Sequence, residues 1–183
     1  MTKEERVKML TRVLSIVMIE PDIEKFIKAL DNRGFFTAPA SSGHHGAYEG
    51  GLFDHSYEVM KQLLMLSGKL SLKWEMERSP YIVGILHDLC KCDSYTKTGD
   101  GYKYCSELTL NGHGDKSVIV AQQVMAESGL KPLTEEEILC IRWHMGAFDE
   151  KSNWNSYSAS VRKYPNVLYA HTADMLAAHV SGI

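Results

Sequence analysis

One stretch decides the fold: Tyr81-Ile82-Val83-Gly84-Ile85-Leu86-His87-Asp88-Leu89-Cys90-Lys91. The segment from Trp74 to Cys90 is apolar on nearly every side, which predicts a central, buried helix. This helix would carry His87 and Asp88 near its C-terminal end. Burying such a polar pair without partners is costly, and binding to a metal ion removes that cost.

Four further side chains of the same chemistry are spaced around this pair. Each lies near the end of a predicted helix or within one. Imidazole and carboxylate groups are the ligands that divalent metals take from helical scaffolds. The sequence therefore predicts a site for one or two divalent ions, with these donors: His55, His87, Asp88, His113, His144 and Asp174.

Helical patterns precede the central segment. Apolar residues recur at three- and four-residue intervals from Val7 to Met18, which predicts an amphipathic helix ended by Pro21. A second short helix covers about residues 22–32. The irregular segment 35–51 then leads to a helix that starts near Asp54, with Asp54 or Ser56 as its N-cap.

The pattern after the central segment is also mostly helical. Residues 95–104 alternate aromatic and polar side chains around a Gly/Asp turn, which predicts a short β-hairpin. Helices follow at 113–128, after the capping-box residue Thr134, and from Asn166 onward. The sequence thus predicts an all-α bundle with a hairpin insertion at about 94–105, either a solvated ribbon or a lip beside the substrate.

Composition limits the class of protein. A chain of 183 residues with 44% hydrophobic residues and a net charge of −3 favours one globular domain. The charge argues against an extended nucleic-acid footprint. The N-terminal residues do not resemble a secretory signal, and no apolar run reaches the roughly 18 residues of a membrane span. We therefore expect a cytoplasmic protein with no membrane partner, whose cysteines (Cys90, Cys92, Cys105 and Cys140) are free thiols rather than zinc ligands.

Several local motifs resemble the HD-domain superfamily of metal-dependent phosphohydrolases. The segment from Leu86 to Lys91 is similar to the His-Asp-x-x-Lys signature of that family. Residues 50–56 look like its first-ligand segment, and Thr172-Ala173-Asp174 looks like its terminal Ala-Asp. The chain is most similar to small stand-alone members, and also resembles the HD portion of bacterial 3′–5′ exoribonucleases. The likeness covers about residues 35–180.

This resemblance implies a single HD domain over residues 1–183, with helices in 1–34 packed on a core at 35–183. The first ion would be held by His55, His87, Asp88 and Asp174. Asp88 would bridge to a second ion, completed by His113 and His144. The ion would be Mn, Fe, Ni, Co, Mg or Zn. Asp88 and the ions would together generate a hydroxide from bound water. This hydroxide would attack a phosphomonoester or phosphodiester, with a nucleotide as the favoured small substrate.

Other residues are expected to serve the substrate. Lys91 would neutralise a phosphate oxygen, and the further basic candidates are Lys116 and Arg142. His45, in the Gly-rich loop, would either contact substrate or simply be a polar loop residue. His171 is expected to orient a ligand or to pack.

The same residues are compatible with two alternative functions. A branch of the same superfamily uses these six ligands to hold a diiron centre that activates O₂. The domain could also bind a nucleotide as a sensor without turnover. The sequence does not indicate the oligomeric state.

Overall fold

The computed structural model describes residues 1–43 and 46–183. Within these residues the chain forms eight α-helices and one two-stranded antiparallel hairpin. The prediction of an all-α bundle with a short β-hairpin is therefore confirmed. The expectation that His45 contacts substrate falls on a residue outside the described ranges.

Two amphipathic helices open the chain, α1 (Lys3–Leu14) and α2 (Glu20–Asp31). Thr2 and Glu5 form a capping box at the start of α1. The prediction that α1 runs to Pro21 is wrong, because α1 ends at Leu14 and Pro21 lies in the first turn of α2. Proline is tolerated there since first-turn N–H groups have no partner within the helix.

Helix α3 (Gly51–Leu70) carries His55. The expected N-cap at Asp54 or Ser56 is wrong, because both residues lie inside the helix. Asp54 instead accepts two hydrogen bonds from the Arg6 guanidinium, each 3.0 Å long. This bidentate ion pair ties α1 to the turn of α3 that precedes His55.

The central helix α4 (Ser79–Leu86) is buried as predicted but much shorter than the predicted 74–90. Pro80 lies in its first turn, where proline favours helix initiation. At the other end, His87 Nδ1 donates a hydrogen bond to the backbone carbonyl of Gly84. Asp88 then leaves the helical conformation, with φ at −111°. The chain continues as a 3₁₀ helix, Leu89–Asp93. His87 and Asp88 therefore lie just beyond the end of the helix.

The hairpin consists of β1 (Tyr95–Thr98) and β2 (Gly101–Tyr104), with Tyr95 opposite Tyr104. Helix α5 (His113–Glu127) follows. Helix α6 (Glu135–Arg142) begins at the predicted capping box, in which Thr134 and Glu137 exchange hydrogen bonds.

Two helices complete the bundle, α7 (Trp154–Lys163) and α8 (Asn166–Leu176), and a π-helical turn follows at Ala177–Ser181. The predicted start of the last helix at Asn166 is confirmed. The sequence pattern missed α7, because its residues are mostly polar and only Ser160 is buried. Its apolar stripe, Tyr157 and Val161, is short, so the helical period gives a weak signal.

One buried apolar cluster draws side chains from α1 to α6 and from α8. Within this cluster, helix α3 packs against both α4 and α8. This packing brings the donor-bearing ends of the helices toward one another. Across the described part of the chain, helices long and apolar enough to cross a bilayer are absent.

Candidate metal centre

All six predicted donors meet in one place. His55 comes from α3, and His87 and Asp88 follow α4 directly. His113 is the first residue of α5, His144 lies just after α6, and Asp174 lies on α8. Five of the six are buried, while the side chain of His113 is 36% exposed.

Asp88 is the centre of the cluster. Its Oδ1 lies 2.7 Å from His113 Nε2 and 3.5 Å from His144 Nε2. Its Oδ2 lies 3.6 Å from His55 Nε2 and 3.5 Å from His87 Nε2. Each carboxylate oxygen thus faces a different pair of imidazoles. This is the arrangement of a carboxylate that can bridge two cations.

Asp174 also faces the rings of His55 and His87. Its Oδ1 lies 3.2 Å from His55 Nε2 and 4.0 Å from His87 Nε2. The ligand atoms fall into three overlapping triplets, each within 4.8 Å: His55, His87 and Asp88; His87, His144 and Asp174; and Asp88, His113 and His144.

Backbone carbonyls determine the tautomer of three rings. Nδ1 lies 2.9 Å from Ile183 O in His55, 2.9 Å from Gly84 O in His87, and 2.7 Å from Ile141 O in His144. A carbonyl oxygen only accepts, so Nδ1 must carry the proton and donate it. Nε2 of each neutral ring then points a lone pair into the cluster, as in histidines that ligate metals.

The cluster has more acceptors than donors. His55 Nε2 and His87 Nε2 lie 3.4 Å apart, and both face buried carboxylates. His144 Nε2 is buried without a hydrogen-bond partner among the described residues, and it faces Asp88 Oδ1 at 3.5 Å. Such groups are costly unless a cation lies between them. The donor set and its geometry therefore fit a divalent metal ion, and imidazole with carboxylate suits Mn, Fe, Co, Ni or Zn.

The electrostatics of the cluster show the same demand for positive charge. Burial disfavours the charged form of His55, but Asp174 and Asp88 outweigh it and raise the pKa of that ring. Complete burial lowers the pKa of His87. Burial also opposes ionisation of Asp88, yet the charge of Lys91 and the histidines holds its pKa well below the usual range. For Asp174, burial raises the pKa, but a hydrogen bond from the protonated His55 ring and the charges of His87 and His144 together outweigh it and lower the pKa to about 2.

Close helix contacts make the convergence possible. A Cβ on Gly84 would lie 2.4 Å from Met60 Cα, so only glycine lets α4 approach α3 this closely. A Cβ on Gly114 would lie 2.1 Å from Arg142 O, so α5 meets the end of α6 in the same way. The first contact sets His87 beside His55, and the second sets His113 beside His144.

An open cavity of about 220 Å³ gives access to the cluster. Lys91 lines it, and its Nζ lies 2.7 Å from Asp88 Oδ2. The remaining lining is partly apolar and includes residues that the sequence pattern did not indicate: Met145, Met175, Ala178 and Ile183. The sequence could not indicate these residues as cavity lining, because single apolar residues near helix ends are common. The contact of the Ile183 carbonyl with His55 likewise depends on the backbone and not on the residue type.

The other basic candidates have partners of their own. Lys116 is buried and pairs with Asp93, at 2.5 Å. Arg142 pairs with Asp115 and Asp149 and stacks on Trp143. Neither is among the described residues that line the donor cavity. Asp115, in the first turn of α5, thus holds Arg142.

His171 lies behind the cluster. Its Nδ1 is 2.7 Å from His144 O, so the ring donates to the backbone of a predicted ligand. It also packs against Gly146, where a Cβ would meet the ring at 2.6 Å. The structure thus places His171 as a support for His144, in line with the expected orienting role. All four cysteines are free thiols, and Cys90 Sγ lies 3.7 Å from His113 Nδ1.

Comparison with known proteins gives no relative for this chain: no family model, no curated protein and no solved structure matches it.

Proposed function

We propose that this protein is an HD-type metal-dependent phosphohydrolase that cleaves a phosphomonoester or phosphodiester, with a nucleotide as its substrate class. One observation carries the proposal. Lone pairs of three histidines converge on two buried carboxylates at the base of an open cavity, and Asp88 faces both halves of the cluster. The resemblance of residues 86–91 to the HD signature supports the same function.

The shape of the cluster favours two ions. His55, His87, Asp88 and Asp174 would hold one ion, and Asp88, His113 and His144 would hold the other. Two divalent ions and two carboxylates leave the site net positive, which suits a phosphate ester. Ions held there would polarise the phosphoryl oxygens and would lower the pKa of a bound water molecule toward neutral pH.

The residues around the cluster serve binding and charge. Asp88 orients its two oxygens toward the two imidazole pairs and so sets the spacing of the site. The position of the Lys91 ammonium, beside Asp88 and at the cavity wall, supports a role for it in neutralising a phosphate oxygen. The backbone carbonyls behind the rings keep each Nε2 available as a ligand.

The test measures metal and turnover together. We would determine the metal content of protein purified without added metal, then assay Mn²⁺-loaded protein on a panel of nucleotides and generic phosphodiesters. The expected result is metal-dependent release of phosphate or alcohol that Asp88→Asn abolishes together with metal binding. Asp22→Asn, on α2 and away from the cluster, is the matched control and should keep both.

Three outcomes would contradict the proposal. Bound iron with O₂ consumption and no hydrolysis would indicate the diiron oxygenase alternative. Tight nucleotide binding without turnover would indicate a sensor. Full hydrolysis by Asp88→Asn would show that the cluster is not the catalytic centre.

A further inference from the structure

A second cavity, of about 110 Å³, lies between the hairpin and the start of α5. Two residues of the metal centre, Lys91 and His113, line this cavity as well as the donor cavity. The two spaces therefore lie on either side of the same pair of side chains. A molecule whose phosphate sits at the metal centre would extend its remaining part into this second cavity.

The lining of the second cavity combines aromatic and apolar side chains with polar ones. Tyr95 and Tyr104 face one another across the hairpin, with ring centroids 6.0 Å apart at an angle of 78°. Tyr104 is 61% exposed and Leu110 is 38% exposed. Leu108 completes the apolar side, and Asn111 adds a side-chain amide that both donates and accepts. An exposed tyrosine beside a cavity is a platform on which a flat ring can stack.

The charge of the cavity argues against a second phosphate. Its other cation, Lys116, is buried and already paired with Asp93. Lys91 is paired with Asp88 on the metal side. No unpaired cation therefore remains among the described lining residues to bind another anion. A neutral ring with polar edges fits this lining better.

We propose that this cavity is the base-binding subsite of a nucleotide substrate. The base stacks on Tyr104, the edge of the ring meets Asn111, and the phosphate lies by Lys91 at the metal centre. The inference rests on the proposed phosphohydrolase function and adds the place where the base binds: a sugar phosphate without a base is then a poor substrate. The hairpin is then a substrate lip.

The experiment compares ligands with and without a base. The probes are the 5′-monophosphates of adenosine, guanosine, cytidine and uridine, with ribose 5-phosphate as the form that lacks the ring. Hydrolysis and equilibrium binding are both measured on Mn²⁺-loaded protein. Three variants are compared with the wild type: Tyr104→Ala, Tyr104→Phe and Tyr102→Ala. Tyr102 is the matched control because it lies in the same strand but lines a different cavity with Pro39 and Glu49.

We expect Tyr104→Ala to raise KM and Kd for the preferred nucleotide about 10-fold, the scale of one lost base–aromatic stack. The kcat value, and all constants for ribose 5-phosphate, should change little. Tyr104→Phe keeps the ring and should behave as wild type, as should Tyr102→Ala. If Tyr104→Ala fails to fold, Leu110→Ala in the same wall replaces it, with the same expected direction.

The outcomes separate the two proposals. Equal KM values for nucleotides and ribose 5-phosphate, unchanged by Tyr104→Ala, overturn the subsite but leave the hydrolase standing. Binding of a nucleotide that depends on Tyr104, without turnover of any ester, supports the subsite and overturns the hydrolase. Absence of nucleotide binding to the metal-loaded protein overturns the subsite.

Discussion

The Nζ of Lys91 lies 2.7 Å from Oδ2 of Asp88, the carboxylate at the centre of the donor cluster. Burial opposes the charge on Lys91, but Asp88 outweighs it and raises the pKa of the ammonium. Lys91 therefore stays charged at neutral pH. It occupies the boundary between the two cavities and supplies their shared positive charge.

Removing this charge should separate catalysis from metal binding. For Lys91→Met we expect kcat/KM to fall about 100-fold, the scale of losing one preorganised charge-stabilising group. The affinity for Mn²⁺ should stay the same or rise, because the ammonium repels a cation near Asp88. Steady-state kinetics and calorimetric titration with Mn²⁺ measure the two effects.

Lys97→Met is the control for that variant, since Lys97 lies on the exposed hairpin and, within residues 1–43 and 46–183, forms its ion pair with Glu49 alone. Loss of metal affinity in Lys91→Met in parallel with activity would indicate a structural role and contradict the assignment.

The contact between Gly84 and Met60 predicts a large effect of one methyl group. Gly84→Ala places a Cβ 2.4 Å from Met60 Cα, so α3 and α4 must separate. We expect the free energy of unfolding to fall by about 1–3 kcal/mol, the usual cost of overpacking. Urea denaturation measures the change.

Gly68→Ala is the matched control on α3, since its Cβ would meet nothing within 4 Å. Alanine is the better helix former, so Gly68→Ala should stabilise the protein by about 0.5–1 kcal/mol. If Gly84→Ala were equally benign, the close approach of the two helices would be refuted.

His171 should affect metal binding without touching the metal. It donates to the backbone carbonyl of His144, so His171→Ala frees that ligand to move. We expect the affinity for one of the two Mn²⁺ ions to weaken about 10- to 100-fold, as is typical when a group that orients a ligand is lost. Calorimetric titration or Mn²⁺ electron paramagnetic resonance would resolve the two ions.

His179→Ala, an exposed position, is the control for this measurement. Unchanged affinity for both ions in His171→Ala would show that His144 does not depend on this hydrogen bond.

The lowered pKa of Asp174 predicts that the stability of the metal-free protein decreases at acid pH. Its pKa falls from an ordinary 3.8 to about 2, because a hydrogen bond from the protonated His55 ring and the charges of His87 and His144 together outweigh burial. An acid with a lowered folded-state pKa stabilises the fold above its unfolded pKa, and that stability is lost as pH falls toward the folded value. The contribution is about 2 kcal/mol, lost between about pH 4 and pH 2.

Urea denaturation of metal-free protein at several pH values in this window tests the prediction. Asp174→Asn should flatten the pH dependence, while Glu107→Gln, in an exposed loop, should leave it unchanged. An identical slope in wild type and Asp174→Asn would contradict the role of Asp174.

The sequence predicted most helices because helix signals are local. The capping box at Thr134 and the apolar period of α1 involve residues only a few positions apart. The helix ends were less predictable. The end of α4 depends on the hydrogen bond from the His87 ring to the Gly84 carbonyl. Helix α7 carries only a short apolar stripe, Tyr157 and Val161, among polar residues.

By itself the sequence determined which donors exist, which helices they lie on or beside, and that burial of His87 and Asp88 demands partners. Only the tertiary structure decided that donors from separate helices meet around Asp88, and which carbonyls fix their tautomers. It also decided that Lys116 and Arg142 form ion pairs with nearby acids away from the donor cavity, whereas Lys91 lines that cavity. The reason is physical: periodicity and capping depend on neighbours in the chain, whereas ligand geometry and charge pairing depend on contacts between residues far apart in the sequence.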